Sequence, residues 1–396
     1  MQNLLIAGLV ATLLNATPRV SNQVSNPNQD SWINPPTGAL RREKPRAYTI
    51  GLNVDIATIS RIIAEPNPVQ SAGGAFFFDM VVGGNWTIAN PDQLTSAVRL
   101  NGIPANPNPS ITGTRGDEVF NIKLNIPRGA MNALTVRVEW PVIAFNSLVN
   151  EDLAAQVTWP RAWPPAVQPY LAPSALIRSD SPAYLEFVEK TSNGQLRTVP
   201  MYYAAKDLVR AAILEFRNVK SSFVMMENGG RVNGFDVNRT RGNRQTPDQQ
   251  SANPSPADMV CSCIAVLRAA GIPARPVIGI DSGRGNSGKL ADGKTQFAAW
   301  GEFYLPGSGW VPFDPYNLRG SSMRSTDVKR PWKWFGNDKE LNRRAAIAYD
   351  FAPFTKGTPG NYPAGWTLQL SGSSSAPFLS DSITMPLMTS RGLARP

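Results

Sequence analysis

The 396-residue sequence contains no histidine. Imidazole is the usual neutral-pH proton carrier and the commonest metal ligand, so neither role can be filled by the ordinary side chain. Cysteine is nearly as scarce, with only Cys261 and Cys263. Two residues apart, they are too close for an unstrained bridge on a helix, so no disulfide framework is expected. Two thiols without an imidazole also fall short of the usual zinc set, and no metal or cofactor is expected. Charged residues reach only 17% of the chain, too few for a disordered solvating protein. No apolar run is long enough to span a bilayer. The run from Leu4 to Leu14 instead suits a signal-peptide core. No Lys or Arg precedes it, and cleavage after Ala16 would leave Leu14 where a small residue is preferred. Residues 1–16 are read as a signal peptide on this basis, and the location as secreted or cell envelope.

What is present points to a packed protein. Hydrophobic residues make up 42%, with ten tryptophans, and the length suits two domains plus tails. The formal net charge of +10 favours anionic surfaces in general. The densest basic patches, Arg41-Arg42-Glu43-Lys44 and Arg239 to Arg244, carry no interleaved aromatics. Nucleic acid is therefore disfavoured as a partner.

Along the chain, 17–45 is rich in Asn, Pro, Ser and Gln and reads as a linker. Segments at 48–56, 118–126 and 133–140 alternate apolar and polar residues. Period-two alternation predicts half-buried strands, and 46–165 is read as an antiparallel β-sandwich. A proline-rich stretch, Pro160 to Pro173, marks a boundary. Helices are predicted after Ser181-Pro182 and over Ala204 to Phe216, and a loop over 227–254. A second domain is placed at 170–324, and 325–396 is read as an irregular C-terminal extension holding Trp332, Trp334 and Phe335, with room for one last strand.

The informative region is 255–315. Ser255, Pro256 and Asp258 form a helix-start signal, Gly271 a stop, and Pro273 prevents restart. A strand follows at 275–280, then a hairpin of 296–305 and 309–314 around Pro306-Gly-Ser-Gly309. The blocks Leu267-Arg-Ala-Ala-Gly-Ile-Pro-Ala-Arg275 and Ala299-Trp-Gly-Glu-Phe-Tyr-Leu-Pro-Gly-Ser-Gly-Trp-Val-Pro-Phe-Asp-Pro315 resemble the transglutaminase-like core of the papain-like class. The resemblance covers roughly 200–318 directly. It implies an α+β fold, a central helix packed on an antiparallel sheet beside the N-terminal β-sandwich. It also implies thiol chemistry: a cysteine in the first turn of that helix, an imidazole base and an aspartate that orients it.

Position by position, the chain departs from that pattern. The cysteine position falls on Pro256 and the imidazole position on Ala298; only the aspartate is kept, as Asp314. At 100° per residue, Met259, Cys263, Val266 and Ala270 form a stripe expected to face the sheet, with Cys261 pointing away from it. Cys263 lies about 10 Å below position 256 at 1.5 Å per residue, outside the field of the helix end. Both thiols read as buried small side chains. Trp300, Glu302 and Trp310 are candidate core or groove residues, Arg275 an ion-pair partner, and Asp314 a hydrogen-bonding residue for the hairpin. The leading expectation is a catalytically inactive core serving as a secreted binding or scaffolding protein for a peptide or an anionic extracellular polymer. The alternatives are a thiol-dependent amidase, peptidase or acyl transferase using Cys261 with Glu302 or Asp314, and a structural cell-surface protein.

Overall fold

A computed structural model describes residues 36–57, 72–81, 83–89, 94–105, 108–112, 119–131, 133–174, 176–215, 256–282, 296–321, 327–350, 366–371 and 378–385. The expected signal peptide at 1–16 and the loop at 227–254 lie outside them, as does most of the 17–45 linker.

The alternating segments are strands. Strand β1 (Leu40–Ala57) runs antiparallel to β8 (Ala133–Val149). Their registered pairs Tyr48–Val142, Ile50–Trp140, Leu52–Val138 and Val54–Val136 are all buried. Alternate residues thus place one continuous apolar face inward, which fixes the register, since a slip of one would turn every one of them to solvent. Strands β3 (Thr87–Ala89), β4 (Thr95–Leu100) and β5 (Ile103–Ala105) extend this first sheet. A second antiparallel sheet contains β2 (Ala72–Val81), β6 (Asn108–Thr112) and β7 (Val119–Met131).

Two boundaries differ from the sequence reading. β1 begins at Leu40, inside the expected linker. The basic run there is strand whose Arg41 and Glu43 pair in solvent at 2.8 Å. A register shift between Glu43 and Arg46, with Lys44 at φ 47°, breaks the alternation and hides the strand. The C-terminal segment 325–396 is not irregular either. Its strands join all three sheets: β12 (Arg344–Ala348) pairs with β9 (Ala274–Asp281), β13 (Trp366–Ser371) with β2, and β14 (Phe378–Thr384) with β1. These strands pair with residues far away in the chain, so no local signal announces them.

The third sheet has the order β11-β10-β9-β12, with β10 (Gln296–Leu305) and β11 (Gly309–Phe313) forming the expected hairpin. Gly301 is required where it stands, because a Cβ there would overlap the ring of Phe313, its cross-strand partner. After β8 come α1 (Glu151–Ala155), α2 (Pro182–Ser192) and α3 (Met201–Glu215); α4 (Pro256–Ala269) precedes β9, and α5 (Pro315–Ser321) follows β11. Helix α4 ends as expected, with Gly271 at φ 76°. It touches β9, β10, α2, α3, α5 and the turn at 168–171. Every residue from Met259 to Leu267 is buried, so α4 has no solvent face over that span. A helix apolar all round is a core helix, and the single sheet-facing stripe expected from its angles understates its burial.

Candidate functional site

The predicted site residues lie on α4, on β10 and on β11 or at its end. Pro256 is the first residue of α4. Ala298 is buried on β10 opposite Gly279. Cys261 and Cys263 are both buried, and burial pushes the Cys263 thiol well above its ordinary value. Cys263 therefore carries the properties of a packed side chain rather than a nucleophile.

Asp314 ends β11 and starts α5. Its carboxylate accepts the Asn317 backbone N–H at 2.9 Å and the Asn317 side-chain amide at 2.7 Å. Its other strong partner is Arg344 of β12, whose Nη1 donates to Oδ2 at 2.7 Å. Its backbone N–H donates to the Trp334 carbonyl at 2.9 Å. The partners are thus α5, β12 and the 334 segment, not the hairpin turn, because Asp314 stands at the far end of β11 from that turn. Arg344 also donates through Nε to Asp281 at 3.3 Å. Both ends of the Arg344–Asp314 pair are almost fully buried, at 7% and 4% side-chain exposure. Burial alone would lower the Arg344 pKa, but Asp314, Asp338 and Asp281 together hold it above its ordinary value. Asp338 has its carboxyl pushed up to about 6 by burial, with Arg344 opposing.

The second expected carboxylate is equally engaged. Glu302 sits opposite Arg275 across the β10–β9 ladder. Its Oε2 meets both Nε, at 2.9 Å, and Nη2, at 2.8 Å. Burial raises the Glu302 pKa and Arg275 opposes that rise. The guanidinium lies 3.6 Å from the Tyr349 ring centroid, 4.0 Å from Trp310 and 5.6 Å from Tyr170. Burial would lower the Arg275 pKa, yet Tyr349 and Glu302 hold it above its ordinary value. Trp300, Glu302 and Trp310 are all buried. Trp300 lies against Gly279, where a Cβ would come within 2.7 Å of its ring. On the opposite face of β10, Phe303 meets Tyr202 of α3 and Phe335.

Sequence reasoning missed Arg344, the cation beside Asp314, and Asp281 and Asp338, which act on it. It also missed a buried pair beside α3. There Lys206 donates to Glu151 at 2.9 Å and to the Arg330 carbonyl at 2.8 Å, with Tyr202 hydroxyl donating to the same carboxylate at 3.0 Å. No local motif marks either group; Arg344 lies 30 residues past Asp314. Among the described residues, no three Asp, Glu or Cys side chains cluster as a metal site would require.

Comparison with known proteins places this region. Residues 240–315 match the transglutaminase-like superfamily. That span holds Pro256, both thiols, Ala298, Glu302 and Asp314. No curated protein matches the sequence. Among solved structures, a candidate cysteine protease from Cytophaga hutchinsonii is similar at 13% identity and TM-score 0.48, over 89% of this chain and 93% of that one. The periplasmic domain of TgpA from Pseudomonas aeruginosa is similar at 13% identity and TM-score 0.28, over 71% of this chain and 91% of that one.

Proposed function

Because the chain carries a transglutaminase-like core at residues 240–315, we propose that this core is a catalytically inactive member of its class, acting as an exported binding or scaffolding module. Its ligand is a peptide or an anionic extracellular polymer. The observation that carries this reading is the state of Asp314. Its carboxylate, which an active site would turn toward an imidazole, is held by Arg344 at 2.7 Å. The imidazole position is Ala298, and no histidine exists elsewhere in the chain to replace it. Glu302, the other carboxylate that could serve a relocated thiol, is tied to Arg275. Both carboxylates expected to serve a nucleophile at Cys261 are thus already paired to a cation. Loss of the chemistry with the packing kept is what a binding role permits. The net charge of +10 supports an anionic ligand, and the apolar run at Leu4–Leu14 supports export. No described helix is long and apolar enough to cross a membrane.

The test uses the whole chain. It is incubated with a glutamine-containing peptide and a primary amine, and its intact mass is followed. The expected result is no acyl adduct and no amide exchange, together with salt-sensitive binding to polyphosphate as an anionic probe. An acyl adduct that maps to Cys261 overturns the reading.

A further inference from the structure

The reading above leaves open why Asp314 is present without its imidazole. In the third sheet, Arg344 pairs with Asp281, which pairs with Gln296, while Ala346 pairs with Gly279, which pairs with Ala298. The next row on the same face joins Val277 to Trp300. The β10–β11 ladder ends by pairing Gly301 with Phe313, and Asp314 is the next residue, on the side of that pair toward Trp300. The row of Ala298 therefore lies between the row of Arg344 and the row that leads to Asp314. That middle row consists of Ala346, Gly279 and Ala298 alone, the smallest side chains available. The Arg344 guanidinium nevertheless bonds Asp314 at 2.7 Å, in a nearly dry environment.

We propose that Arg344 is the positioning residue that stands in for the missing imidazole: it takes the cation's place beside Asp314 and turns a catalytic orienter into a strut between β11 and β12. Diagonal cross-strand neighbours on one face lie about 7–8 Å apart, within reach of long or aromatic side chains. An imidazole at position 298 would reach toward Asp314 but find it already occupied. This inference rests on the inactive-core reading. Its test reads a pairing and not an activity, so either can fail without the other.

The absence of histidine supplies the probe. In Ala298→His the introduced imidazole gives the only such signal in an NMR spectrum, and its titration is read directly. With Arg344 in place, the imidazole titrates at or below its ordinary value of about 6.5. Adding Arg344→Gln frees Asp314, and the imidazole pKa rises by about 1 to 3 units. Adding Arg344→Lys, which keeps the cation, leaves it low. If Arg344→Gln abolishes folding, Ala298→His alone still decides: its imidazole stays at or below the ordinary value. An imidazole already raised in Ala298→His and lowered by Asp314→Asn overturns the proposal. So does one that fails to rise in a folded Arg344→Gln chain.

Discussion

Glu302 and Arg275 face each other across β9 and β10 with both side chains almost fully buried, and three aromatic rings close around the guanidinium. Two charges in such a place are held by each other, since neither can recover its lost hydration alone. Removing one partner strands the other. Glu302→Gln is expected to destabilise the chain by about 3 kcal/mol. The measurement is urea unfolding, where the midpoint should drop at an unchanged slope. Adding Arg275→Met should recover part of that loss, because no buried charge is then left unpaired.

The Lys206–Glu151 pair is predicted to behave in the same way on the other side of the core. Lys206 has no exposed side-chain surface, and its ammonium lies 5.0 Å from the Trp332 ring centroid and 5.2 Å from that of Tyr202. Burial lowers its pKa and raises that of Glu151, each opposed by the other partner. Lys206→Met alone is expected to cost about 3 kcal/mol. Lys206→Met with Glu151→Gln should cost clearly less, and a double-mutant cycle on thermal unfolding measures the difference.

Asp338 makes stability depend on pH in a defined window. Its folded carboxyl lies at about 6 against an ordinary 3.8. Between these values the folded chain keeps a proton that the unfolded chain has released. Stability from this group is therefore full below the lower value, falls as pH rises through the window, and is flat above it. Asp338→Asn removes the slope and is expected to raise stability at pH 7 by about 3 kcal/mol. Unfolding curves of the two chains at pH 4 to 7 provide the check; parallel pH profiles would contradict the assignment.

Gly301 allows β10 and β11 to close over the Phe313 ring, which also stacks with Phe303 and Phe335. Gly301→Ala pushes a methyl group into that ring and is expected to destabilise by about 1–3 kcal/mol. Adding Phe313→Leu should relieve part of the loss, and thermal melts of the single and double variants would show it.

Much of the core was legible because its signals are local. The capping and stop residues of α4 and the turn glycines of the β10–β11 hairpin act within a few positions of one another, and both elements stand within a residue or two of their expected ends. Proline at 256, alanine at 298 and aspartate at 314 are likewise read directly from the order of residues. The strand at Leu40 was masked by its bulge and charge. The C-terminal strands were masked because a strand's partner is not written near it.

The sequence by itself determined that the chain supplies no imidazole of its own, and that an aspartate stands at position 314. Only the tertiary structure decided what that carboxylate does. Sheet pairing lays β12 beside β9, and that places Arg344 within hydrogen-bond reach of Asp314. A buried charge takes whatever opposite charge the fold delivers to it, and which charge arrives depends on contacts between residues distant in the chain. The same holds for Glu302, whose partner Arg275 is set by the register of two strands, and for Glu151, whose partner is set by the docking of α3 on α1.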